Sequence, residues 1–83
     1  MNISDDKFRV MVKAIRTIRE MDQGDLAQAS GINASILSPF ERGFLRLADT
    51  KKAAIKEALG ITEAVEAAFE SLLAVMYGET HGQ

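Results

Sequence analysis

Apolar residues in this chain recur at helical spacing, in runs separated by short breaks, most of them marked by glycine. No stretch alternates apolar and polar residues for long enough to specify a half-buried strand. Together these features confine the chain to an all-α fold. The first predicted helix covers about Asp5 to Glu20, with Ser4 as N-cap and Asp5 and Asp6 in the favourable first turn. Phe8, Met11, Val12 and Ile15 form its buried stripe, with Lys7, Arg9, Lys13, Arg16 and Arg19 mostly off it. A second helix runs from about Gln23 to Ser30, capped by Asp22. Gly31 stops it, because glycine takes a left-handed backbone without steric cost. A third helix starts after Asn33, carries Ile36, Leu37 and Phe40, and ends near Arg42 before Gly43. Pro39 lacks an N–H and crowds the preceding turn, so this helix is expected to be short, or kinked around Ser35–Pro39. An apolar loop, Phe44-Leu45-Arg46-Leu47, leads to a fourth helix over about Thr50 to Leu59, with Asp49 as cap and Gly60 as stop. The fifth starts after Thr62 and runs to about Tyr77, ended by Gly78. The expected result is one compact five-helix domain over residues 1–78, with a mobile tail at 79–83.

Length and composition close off other classes. A chain of 83 residues holds one domain with one modest core. It has no cysteine, which excludes disulfides, cysteine-zinc sites and thiol nucleophiles. The single histidine, His81, reads as tail rather than ligand. Glu63, Glu66 and Glu70 recur at helical spacing and read as a solvated face rather than a metal site. Met11, Met21 and Met76 read as core or interface filler. There is no Ser-His-Asp set, phosphate-binding glycine loop or pair of catalytic acids, so neither enzymatic activity nor a metal or cofactor is expected. The start, Met1–Asp6, lacks the basic flank and apolar core of a secretion signal, and no apolar run approaches the ~18 residues of a membrane span. The expected location is the cytoplasm.

The net charge of −2 argues at first against a nucleic-acid partner, but it hides a split. Residues 1–52 carry nine Lys/Arg against seven Asp/Glu. Residues 53–83 carry Lys56 alone against Glu57, Glu63, Glu66, Glu70 and Glu79. Positive charge thus gathers in the part that contains the most informative segment, residues 23–42. There a small residue, Ala27, stands where two helices would touch, and Gly31 supplies a positive φ at the turn. Leu26, Ile32, Leu37 and Phe40 occupy the positions that must be buried. The pattern is that of a helix-turn-helix; the plainer alternative is an ordinary helical hairpin.

Around this motif the chain resembles the lambda-repressor-like (Cro/CI-type, XRE-like) DNA-binding domains from about Val10 to Ile61. The resemblance rests on Ile15-Arg16, Gln23, Leu26-Ala27, Ser30-Gly31-Ile32, Leu37-Ser38, Phe40-Glu41-Arg42-Gly43 and Ala58-Leu59-Gly60-Ile61. It implies five helices with the third in the major groove of DNA. Gln23 falls where the family holds a phosphate at a helix start, assisted by free N–H groups. Asn33, Ala34, Ser35 and Pro39 fall where it reads bases, with Ser38 beside them. Arg42 and Arg46 match positions that grip the DNA backbone. Arg16 and Glu41 match a pair that ties the first helix to the third, with Arg16 also expected near a phosphate. The base-reading positions lack the long side chains that make bidentate contacts, and Leu47 stands where the family often has proline, so much specificity is expected from DNA shape and backbone placement. Lys51-Lys52 reads as a solvated helix start, with a phosphate contact as the alternative.

The fifth helix carries Val65, Phe69, Leu72, Leu73 and Met76 on a broad apolar face. Covering the core is one reading; a homodimer seam is the preferred one. A twofold dimer would set two third helices about 34 Å apart on a pseudo-palindromic operator. The expected function is a sequence-specific transcriptional regulator, a phage, plasmid or mobile-element repressor acting as a dimer on double-stranded DNA. The alternative is a protein-interaction module on the same scaffold, an antitoxin or antirepressor.

Overall fold

Phe8, Met11 and Val12 lie within one turn of each other on the first helix, and all three are buried. They begin the core of the all-α fold seen in the computed structural model, which describes residues 5–78. The helices are α1 (Asp5–Ile18), α2 (Gln23–Ser30), α3 (Ala34–Glu41), α4 (Asp49–Leu59) and α5 (Glu63–Met76), with no strand among the described residues. The expected cap Ser4, His81 and the tail 79–83 lie outside the described residues.

The boundaries follow local chemistry. α1 stops at Ile18, two residues short of expectation, although no glycine stands there. Glu20 itself takes the left-handed conformation, φ 58°, and the Met21 N–H reaches back to the Arg16 carbonyl at 2.9 Å. That closure satisfies an otherwise orphan carbonyl at the cost of a strained non-glycine residue. α2 begins with a reciprocal cap: Asp22 accepts from the Asp25 N–H, and the Asp25 carboxylate accepts from the Asp22 N–H. It ends at Gly31, φ 73°, whose N–H donates to the Ala27 carbonyl. In α3 the Asn33 side chain accepts from the Ser35 N–H. The helix is short, ending two residues after Pro39. Asp49 is not a cap: α4 begins with it, and Ala48 holds the cap position without a side-chain bond. Inside the first turn its carboxylate instead complements the helix dipole. α5 is capped by Thr62, which accepts from the Val65 N–H, and ends at Met76, one residue earlier than expected.

α2 packs closely on α3 and α4, and α1 on the same two helices. Between them lie Phe8, Met11, Val12, Leu26, Ile32, Leu37, Phe40, Leu47, Ile55, Leu59 and Ile61. The Phe8 and Phe40 rings meet at 6.0 Å, tilted by 50°. Each fully buried side chain of this size stabilises by about 1.5–3 kcal/mol. α5 approaches no other helix as closely, and Val65 and Phe69 attach it to the core. The expected solvated face of α5 is not there. Glu66 is buried with its Oε2 2.7 Å from the Lys56 ammonium, and half-buried Glu70 pairs with Lys7 at 3.2 Å. Only Glu63 of the three is exposed. Lys52, too, is not simply solvated, because its ammonium pairs with Asp5.

Candidate nucleic-acid interface

The site begins with what holds α3 in place. Arg16 of α1 presents its guanidinium edge to Glu41 at the end of α3, donating from Nε to Oε2 at 2.8 Å and from Nη2 to Oε1 at 2.7 Å. Its Nη1 donates to the Met21 carbonyl, and the Gln23 amide donates to Glu41 Oε1 at 3.1 Å. The bonds to Glu41 raise the Arg16 pKa above its ordinary value, outweighing burial, with the charge of Glu41 and then Asp22 adding to the effect. One carboxylate therefore binds α1, α2 and α3 together. Arg16 faces inward, only 13% exposed, so its expected phosphate contact is not supported.

Gln23 belongs to the same network. Its side-chain amide is committed to Glu41 rather than extended toward a ligand, and the exposed carboxylates of Asp22 and Asp25 flank it. The sequence reading missed the second carboxylate as a cap, although Asp22 followed three residues later by Asp25 is a visible cue.

The N-terminal end of α3 is open. Asn33, Ala34 and Ser35 are exposed, while Ser38 and Pro39 are half-buried. Asn33 Oδ1 is used by its own cap, leaving its amide N–H groups to donate outward. Arg42 is exposed beyond the end of α3 and forms no ion pair among the described residues; its guanidinium stacks over the Phe44 ring at 5.3 Å. Arg46 is also exposed, but its Nε lies 3.1 Å from Asp5 Oδ2. The structure thus leaves Asn33, Ala34 and Ser35 exposed at one end of α3 and Arg42 at the other, draws Gln23 inward, and ties Arg46 to α1. No sequence signal announces the Asp5–Arg46–Lys52 cluster, because its members are far apart in the chain.

The expected seam on α5 is largely spent on the fold. Leu73 is 5% exposed, and Val65 and Phe69 pack on the core. Leu72 and Met76 remain exposed, joined by Val75 and Tyr77. In the loop, Phe44 is exposed, whereas Leu47 is buried. Among the described residues no group of His, Cys, Asp or Glu is placed to hold a metal ion, and no helix is long and apolar enough to cross a membrane. Known protein families, curated proteins and solved structures yield no match to the chain.

Proposed function

We propose that this protein is a sequence-specific DNA-binding transcriptional regulator of the lambda-repressor-like kind, a mobile-element-type repressor that occupies an operator. The observation that carries the reading is the contrast between the two ends of α3. Its C-terminal end is locked by Arg16–Glu41–Gln23, while its N-terminal end presents exposed Asn33, Ala34 and Ser35, and exposed Arg42, without an ion pair among the described residues, follows the helix. A short helix rigidly seated in this way fits a major groove without rearranging. Asn33 carries the one side-chain amide among these residues and is suited to adenine; Ala34 and Ser35 suit a thymine methyl. Arg42 supplies backbone attraction, and occupancy of the operator excludes polymerase. Dimerisation, in this reading, uses what α5 leaves outside: Leu72, Val75 and Met76.

The test is a gel-shift series with DNA from upstream of the protein's own gene. Binding is expected to weaken steeply with salt. Arg42→Ala should weaken binding to all sequences alike and reduce the salt slope by about 1, whereas Asn33→Ala or Ser35→Ala should change sequence preference. No salt-sensitive shift at micromolar protein contradicts the reading.

The second reading, a protein-interaction module of antitoxin or antirepressor type, draws on the exposed Phe44, Leu72, Val75, Met76 and Tyr77. A stoichiometric protein partner recovered by pull-down, with no DNA retained, favours it.

A further inference from the structure

We infer that the cleft between the start of α1 and the α3–α4 loop is a phosphate site for the DNA backbone, and that Asp5 occupies it until DNA does. The inference rests on the DNA-binding reading above. The cleft encloses about 220 Å³, and Asp5, Arg9, Gly43, Arg46 and Lys52 are among the residues that line it. Arg46 Nε approaches one oxygen of Asp5 at 3.1 Å, and the Lys52 ammonium hydrogen-bonds the other. Two cations from separate elements thus converge on one small anion, as they would on the two free oxygens of a phosphodiester. Arg9 runs along the same wall, close to Gly43, where an added Cβ would meet its Nε at 3.5 Å.

Several features make Asp5 displaceable rather than structural. The Arg46 side chain is 86% exposed, and ion pairs at such positions are weak. Lys52 has a second contact besides Asp5, its ammonium lying 5.8 Å from the Phe8 ring centroid. The hydrogen bond from Lys52 holds the Asp5 carboxyl below its ordinary value, against desolvation and with help from the charges of Lys52 and Arg46. Asp5 is therefore ionised at neutral pH and competes with phosphate at all times. When a phosphate takes its place, the freed carboxylate gathers a cation from solution. That uptake subtracts about one from the counterions released on binding.

Asp6 is the built-in control. It sits beside Asp5 in the same first turn and also lines the cleft, but its side chain is 90% exposed and its ion pair is with Arg9 at 3.6 Å, not with Arg46 or Lys52. Asp5→Asn and Asp6→Asn each remove one negative charge from the wall of the same cleft, and only the first removes the charge that Arg46 and Lys52 hold. The experiment measures DNA affinity by fluorescence anisotropy across a salt series for wild type, D5N and D6N, using DNA from upstream of the protein's own gene. D5N should bind about three- to ten-fold more tightly at low salt, with a salt slope steeper by about one. D6N should leave the slope unchanged. Equal effects from the two substitutions overturn the inference, since net charge alone would then explain them. DNA binding unchanged in both also overturns it, while leaving the DNA-binding reading intact. Absence of binding in all three proteins overturns that reading and the phosphate site with it. Asp5→Ser serves in place of D5N if the latter folds poorly.

Discussion

Glu41 and Glu66 are both buried to 2% exposure, yet the protein treats them differently. Glu41 accepts hydrogen bonds on both oxygens, from the Arg16 fork and from Gln23, so α1, α2 and α3 meet at one carboxylate. Glu66 faces the Lys56 ammonium, 2.7 Å from its Oε2 but outside hydrogen-bond alignment. A buried charge recovers its desolvation cost only when its partners are well placed. The comparison teaches where the molecule is rigid. α3 is fixed from two helices, α1 and α2, while a single flexible lysine spans the charge contact between α4 and α5. Rigidity lies under the proposed reading surface, and the looser attachment belongs to the helix proposed to meet a second copy.

The largest effect should come from removing the better-satisfied partner. Arg16→Ala leaves Glu41 buried without its fork and should cost about 3–5 kcal/mol in urea unfolding. A loss below about 1 kcal/mol would erase the difference between the two glutamates. Gly31→Ala should cost about 1–2 kcal/mol, since its φ of 73° is left-handed and the added Cβ meets nothing within 4 Å. Gly60→Ala, at φ 70°, should cost about the same in thermal melts. The two variants should differ in DNA affinity, because only Gly31 sets the turn into α3. Glu66→Gln should change stability by less than about 1 kcal/mol, as Lys56 is 36% exposed and can turn to water. A loss as large as that of Arg16→Ala would show that α5 is pinned as firmly as α3.

The smallest effect concerns acid. The folded pKa of Asp5 is lowered, so its contribution to stability is complete above the ordinary carboxylate value and disappears as pH falls through the lowered one. Unfolding curves between neutral and acid pH should therefore show wild type losing its advantage over D5N only on the acid side. An advantage independent of pH would contradict the pairing of Asp5 with Arg46 and Lys52.

The helix count and most helix starts were legible in local signals: Asp22, Asn33 and Thr62 cap, and Gly31 and Gly60 stop. The Arg16–Glu41 pair was expected only from the resemblance. The end of α1 was not legible, because Glu20 does a glycine's task. Other non-local partners were not legible either. Spacing placed Glu66 and Glu70 on a helix, but their direction depends on Lys56 and Lys7 arriving from α4 and α1. Apolar spacing on α5 likewise could not apportion residues between core and surface. Val65, Phe69 and Leu73 went inward and Leu72 and Met76 outward, because the helix has more apolar surface than its neighbours cover. At the candidate site, exposure of Asn33, Ala34, Ser35 and Arg42 was foreseen, while the capture of Gln23 and Arg46 depended on tertiary contacts.

The most direct measurement is a titration of the isotopically labelled protein with duplex DNA from upstream of its own gene, followed by amide chemical shifts. The largest changes should fall at Asn33, Ala34, Ser35, Arg42 and Arg46, with the core around Glu41 unmoved. Changes confined to Leu72–Tyr77, or no saturable change at all, would contradict the assignment of α3 as the DNA-reading element.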